Sequence, residues 1–244
     1  MRLGEDGVLR SLAKAVGIEY APNYERGGAE VKMKKALLCL LAHFARAQAG
    51  VELRADQSKV LKQAPLLVQA LVDVISSQGW LKPALAAMEV SQCIVQGVRS
   101  TDSVLLQVPH FTSTLVEELG RLDPPVETVF DLLDMDDLAR DRAFSFSPEQ
   151  LSEIALFCNA YPLMQLDYRC SFNGTVKAGD ALTVTVTCTR DAGDDADNAA
   201  SFEAVSARYP FAKKEGWWIV LGDPKRNALF AVKRFTAAAK FEVG

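Results

Sequence analysis

With 244 residues, 49% of them apolar and 24% charged, the chain has the make-up of a folded globular protein and not of a disordered segment. Its length admits one or two domains with room for a small third. A net charge of −4, from 27 basic and 31 acidic side chains, argues against electrostatic coating of a nucleic acid by the whole surface and leaves a local basic strip open.

Five cysteines (Cys39, Cys93, Cys158, Cys170 and Cys188) are scattered and odd in number, so reduced thiols in an intracellular chain fit better than a disulfide framework. The longest apolar run, Ala36 to Ala45, is half the roughly 20 residues that a membrane span needs. The N-terminus M-R-L-G-E-D-G lacks a signal-peptide core. A soluble chain with no membrane partner is expected.

Taken in order, Gly7 to Val16 is a short amphipathic helix with Val8, Leu9, Leu12 and Val16 on one face. A loop over 17–28 follows. Glu30 to Gln48 restores the helical period, with Val31, Ala36, Leu37, Leu40, Leu41 and Phe44 as its apolar stripe and Lys32, Lys34 and Lys35 as a solvated face. Asp56 is the expected N-cap of the next helix, and Pro65 should kink or split it.

Val68 to Gln96 is the stretch around which the rest is organised. Leu67, Val68, Ala70, Leu71, Val72, Val74 and Ile75 leave little polar surface, so other elements are expected all round this helix. Gly79 can end it in a left-handed conformation, and Pro83 suits the first turn of a second helix. That helix turns Leu85, Met88, Cys93 or Ser91, and Val95 inward, and the short turn predicts an antiparallel hairpin.

Thr112 or Ser113 can cap a helix through Leu119, closed by Gly120. Short helices are predicted at 126–133 and about 136–143. Ser147-Pro148-Glu149-Gln150 is a well-formed start signal for a helix to about Asn159. At Tyr161-Pro162 the period changes from 3.6 to 2. Leu166, Tyr168 and Cys170 alternate, as do Leu182, Val184, Val186 and Cys188 against Thr183, Thr185, Thr187 and Thr189. Asn173-Gly174 and Gly179-Asp180 are turn dipeptides, and further strands are predicted at 202–206, 217–221, 228–234 and 239–243. The expected fold is α+β and multidomain: a helical bundle over 1–108, a helix-loop-helix domain over 109–161, and an incomplete immunoglobulin-like antiparallel β-sandwich over 162–244.

Catalytic chemistry finds little material. There is no lysine-bearing phosphate loop and no G-x-S-x-G, so no catalytic residue is assigned and an enzyme is not expected in this chain. Cys39 and His43 have a ligand-like spacing, yet nothing completes a site, so they read as a core thiol beside a core-edge imidazole and no metal is assigned. The acidic run Asp191 to Asn198 lacks calcium-loop spacing and reads as a solvated hairpin loop.

Lys213 to Asp223 is more informative, because Trp217 and Trp218 must point to opposite faces of a strand. Either one fills a core while the other meets a neighbouring domain or partner, or both are structural. With Lys213 and Lys214 they form the partner-contact candidates, in a region where Lys225, Arg226, Lys233 and Arg234 add positive charge.

Four ordered blocks, S-S-Q-G-W-L-K-P-A-L-A-A-M-E-V-S-Q, D-S-V-L-L-Q-V-P-H-F-T, F-C-N-A-Y-P and E-G-W-W-I-V-L-G-D, resemble the Sec-sixty-three homology unit of Ski-two-like RNA helicases, most of all the spliceosomal Brr-two type. The resemblance spans essentially the whole chain and implies the same three regions. It also implies a fragment, since the family unit follows the motor domains and its sandwich continues beyond Phe241. Pro65 and the loop at 191–198 depart from the family pattern.

In that family a long bundle helix lies below the nucleic acid as a ratchet. The matching block here is Pro83–Gln96, which makes Gln92, Gln96 and Arg99 the RNA-contact candidates. The resemblance further implies partners in the helicase motor domains in cis, small nuclear RNA and other spliceosomal proteins, and a nuclear location. Cofactors are expected only as ATP and magnesium in the motor domains. Such units occur twice in these helicases, the second copy serving mainly in protein contacts. The alternative is a protein-interaction scaffold, free-standing or related to the protein-translocation Sec-sixty-three component, which would need membrane spans and a J-domain.

Overall fold

A computed structural model describes residues 4–21, 28–171, 175, 177, 179–180, 182–191, 203–236 and 240–243. Its architecture is α+β: helices α1 (Glu5–Ala15), α2 (Gly28–Phe44), α3 (Val51–Ser77), α4 (Leu81–Gln96), α5 (Ser113–Leu119), α6 (Val129–Asp134), α7 (Asp137–Ala143) and α8 (Pro148–Ala160), then strands β1 (Leu163–Ser171), β2 (Thr183–Asp191), β3 (Gly216–Asp223), β4 (Ala228–Thr236) and β5 (Lys240–Val243). The strands form two antiparallel sheets among the described residues, β1-β2-β5 and β3-β4. The Asn173-Gly174 turn and most of the acidic run at 191–198 lie outside the described residues, and of the segment at 202–206 only Glu203 forms a bridge, with Lys214.

The N-terminal cluster joins α1, α2 and the start of α3 through buried Leu9, Leu12, Leu38, Ala42 and Leu53. At its edge Lys35 donates to Glu5 Oε1 at 2.5 Å and to Asp56 Oδ2 at 2.7 Å. Lys35 is therefore a crosslink between three helices and not part of a solvated face. Asp56 is not the N-cap either. The helix begins at Val51 after Gly50, because fully buried Leu53 must already be helical to reach the cluster.

Pro65 does not split α3, which runs unbroken for 27 residues. A proline leaves the carbonyl four residues earlier without its helical donor. That carbonyl belongs to Leu61, and the Tyr209 hydroxyl donates to it at 3.2 Å. Removing this hydroxyl with Tyr209→Phe is expected to cost about 1 kcal/mol. In a Pro65→Ala background residue 65 regains an N–H for Leu61, so the same change should cost less. Chemical denaturation of the four variants checks this, and equal costs in both backgrounds would remove the compensation.

Helices α3 and α4 form the antiparallel hairpin that the short turn predicts, with Gly79 at φ 71° just past the end of α3. Their inner faces, Val72, Ala84, Ala87 and Met88, pack with Val68 and Ile75 against Trp218, Val220, Leu229 and Val232 of the β3-β4 hairpin. Leu85 is exposed and contributes nothing to this core; Ala84 takes that place. The outer face of α3 is open as well: Leu66, Leu67 and Val74 are 64%, 67% and 62% exposed, and Leu37 of α2 is also exposed. An apolar helix was expected to be surrounded, but covering elements lie on one side only. By length and composition alone α3 is long and apolar enough to cross a membrane. In the fold it is the base on which α4 and β3-β4 rest.

A second large cluster runs from Leu105, Val108 and Phe111 through α5 and α6 to Ile154, Phe157 and Cys158 of α8. Its helices start where the sequence signals them. Thr112 accepts from the Leu115 N–H, and Ser147 with Gln150 completes a capping box. Gly120 does close α5, but at φ −68°, so left-handed freedom is not what selects it.

β2 pairs with β1 in the register Leu166↔Cys188 and Tyr168↔Val186, and with β5 through Cys188↔Phe241. A two-pronged ion pair, Arg190 to buried Glu215 at 3.0 and 3.3 Å, links this sheet to the start of β3.

Candidate nucleic-acid and partner interface

Helix α4 is braced at both ends by residues far away in sequence. The first N–H groups of a helix have no internal partner. Here Asn227, at φ 55° in the β3-β4 turn, accepts from the Leu81 N–H through its backbone oxygen at 3.2 Å and from the Lys82 N–H through Oδ1 at 2.7 Å. Pro83 has no N–H to satisfy, and the Ala84 N–H returns to Trp80. Leu229 also donates to Gly79 O at 2.8 Å, so the β turn sits against the helical turn.

At the other end the Cys93 carbonyl accepts from the Gly97 N–H at 2.8 Å, Ile94 from His43 Nε2 at 2.9 Å, and Val95 from the Ser206 hydroxyl at 2.6 Å. Gly97 closes the helix at φ 66°, and a Cβ there would meet the Arg208 side chain at 2.9 Å. Helix α4 is thus held as a rod with a fixed rotation about its own axis.

That rotation buries Ala84, Ala87, Met88, Ser91 and Ile94, and turns Glu89 and Gln92 outward. Gln96 lies one turn beyond Gln92 and is half-buried; Arg99 is exposed past the helix end. Neither glutamine amide has a hydrogen-bond partner among the described residues, whereas the Arg99 N–H donates to Asp102 Oδ2 at 2.9 Å. Gln92 and Gln96 therefore share a face, and Arg99 follows it across the glycine turn.

The tryptophans do point to opposite faces. Trp218 packs on the α3-α4 hairpin with the Arg234 guanidinium 5.9 Å from its ring centroid, and Arg234 donates to Asp73 at 2.6 Å. Trp217, paired across the strands with buried Phe235, faces away and is half-buried. Both indole N–H groups are buried without an acceptor among the described residues. Lys213 is half-buried and Lys214 exposed.

Cys39 and His43 lie in the core. Burial pushes the Cys39 thiol up to about 11. Burial likewise lowers the His43 pKa, with Arg208 adding to the effect and the Ile94 hydrogen bond opposing it. His43 works as a brace for α4 through a donated Nε2–H.

Sequence reasoning missed a cleft of about 430 Å³ beside the C-terminal end of α4. Arg46, Arg54 and Arg208 line it with His43, Gln48 and Gln57. No local motif could have revealed it, since Arg208 comes from a stretch of the chain far from Arg46 and Arg54.

The model of the Sec63 Brl domain matches residues 1–243. The chain is 36% identical over 249 residues to the U5 small nuclear ribonucleoprotein 200 kDa helicase of Drosophila melanogaster, a match covering 100% of this chain and 11% of the relative. The human protein of the same name is 37% identical over 243 residues, with the same coverage. The DExH-box ATP-dependent RNA helicase DExH12 of Arabidopsis thaliana is 44% identical over 210 residues, 86% of this chain and 10% of the relative. The chain thus spans about a tenth of the length of these relatives and is no motor domain. With a family match from end to end, the chain belongs to the Sec63 Brl domain family.

Proposed function

We propose that the chain is the accessory module of a spliceosomal DExH-type RNA helicase, guiding the RNA strand and docking splicing factors without an ATPase of its own. The observation that carries this reading is an α4 braced at both ends whose outer glutamines have no partner among the described residues. Uncharged amides can hold a phosphate backbone by hydrogen bonds without fixing it, which suits a strand that must slide. Gln92, Gln96 and Arg99 are its RNA contacts.

The exposed leucines of α3 are an apolar face of the kind that protein contacts cover, and the motor domains in cis are the partner proposed for it. Those motor domains use the ATP and magnesium. Trp217, Lys213 and Lys214 mark the contact to other spliceosomal proteins, while Trp218 is taken up by the α3-α4 hairpin. The two sheets are the beginning of an immunoglobulin-like sandwich, and the protein works in the nucleus with small nuclear RNA and away from membranes.

The test places Gln92→Ala, Gln96→Ala and Arg99→Ala together in the full-length helicase. Reduced RNA crosslinking and slower unwinding at unchanged basal ATPase are expected. Unchanged crosslinking and unwinding would leave the scaffold reading, in which the surface of this chain serves proteins only.

A further inference from the structure

The arginine cleft lies where the α4 face ends. It is lined by the C-terminal end of α2 and the turn after it, by Arg54 and Gln57 of α3, and by Ala207 and Arg208. Arg46 stands at φ 59°, a left-handed conformation that costs a non-glycine residue energy, and donates through Nη1 to Phe111 O at 3.3 Å and through Nη2 to Leu106 O. Two of its five N–H donors are thereby used by carbonyls and none by a carboxylate. Arg54 and Arg208 have no ion-pair partner among the described residues.

No acidic residue lines the cleft, and Asp102, whose charge reaches Arg46, has one oxygen taken by the Arg99 N–H. Burial lowers the pKa of Arg46 and of Arg208, and the two repel one another. Like charges held together and partly dried are a cost that a bound anion removes.

We propose that Arg46, Arg54 and Arg208 hold adjacent backbone phosphates of a single RNA strand. Guanidinium forks match phosphate oxygens two at a time, and the cleft is far larger than one ion but suits a nucleotide backbone. Its lining carries no Phe, Tyr or Trp on which a base could stack, so the cleft reads phosphate and not sequence. It adjoins the end of the Gln92–Gln96 face through the Gly97–Arg208 contact, so the proposal rests on the reading of α4 as the strand's support.

The experiment measures binding of a fluorescent single-stranded RNA to the 244-residue chain across a salt series. Arg54→Gln with Arg208→Gln is expected to weaken binding about tenfold and to flatten the slope of log K against log salt by about 1.4, the value for two phosphate contacts to a single strand. Arg208→Lys, in a wild-type background, should keep the slope, which separates charge from fold. An abasic strand should bind as well as a base-bearing one, and inorganic pyrophosphate should compete.

No binding by the unsubstituted chain, an unchanged slope in the double variant, or tight pyrophosphate binding without RNA binding would each overturn the cleft as an RNA site. A loss with Gln92→Ala, Gln96→Ala and Arg99→Ala but none with the arginine variant removes the cleft and keeps the strand reading. The reverse keeps the cleft and removes α4 from the path.

Discussion

Replacing Lys35 by methionine is expected to destabilise the chain by about 3 kcal/mol, the scale on which breaking a buried ion pair acts. The ammonium is the shared partner of Glu5, whose side chain is 1% exposed, and Asp56, at 21%. Burial alone would lower the Lys35 pKa, but the hydrogen bonds and charges of Asp56 and Glu5 outweigh it and hold it above the ordinary lysine value. Methionine keeps the apolar stem and deletes only the charge, so the loss reports on the bridge that Lys35 makes between buried Glu5 and half-buried Asp56.

For a chain of this size the change corresponds to a fall in unfolding midpoint of roughly 6–12 °C. Adding Glu5→Gln and Asp56→Asn should recover part of it, because the two charges that Lys35 balances are then removed with it. A loss under about 1 kcal/mol would mean that water screens the triad as it screens a surface pair.

The second large effect is expected at Gly222. A Cβ on this residue would lie 2.7 Å from the Ala228 carbonyl oxygen and 2.8 and 2.9 Å from the two methyl carbons of Leu81. The first is backbone across the strand pair, next to a register shift between Leu221 and Gly222, and has little room to give. Gly222→Ala should cost about 2–3 kcal/mol, and Gly222→Val more, as overpacking forces the β3-β4 hairpin off the helices. A change in tryptophan fluorescence should accompany it, since Trp218 sits in that interface. Trimming the neighbour with Leu81→Ala should recover only a fraction, because the carbonyl contact stays. Full recovery would show that the leucine alone sets the limit.

Much of this architecture was legible in the sequence because it is written locally. The Ser147–Gln150 box, the Thr112 cap, the glycine at 79 and the Thr/Val alternation of β2 are decided by residues within a turn or a strand of one another. What was not legible depends on partners distant in the chain. Asp56 looked like a cap because its reason for being acidic, Lys35, lies on another helix. Pro65 looked like a breaker because the hydroxyl that takes up the freed Leu61 carbonyl belongs to Tyr209, 148 residues from Leu61 in sequence.

Periodicity correctly marked α3 as apolar on most faces, but it carries no information on how many of those faces this chain covers. Of the candidate site, the face of Gln92 and Gln96 followed from helical spacing. The cleft of Arg46, Arg54 and Arg208 did not, since Arg208 joins the other two only when the chain is folded.

The bracing of α4 has a consequence for how the three regions can be exchanged. Asn227 at one end and Ser206 at the other both come from the β part of the chain. A chain cut at residue 161 would lose those partners and expose the start of α4 and its Val95 carbonyl to water, so its helix ends should fray. The regions are therefore not beads that evolution or an engineer could swap independently. Grafting a foreign sandwich after the helices would require it to bring its own asparagine and serine to the same two points in space.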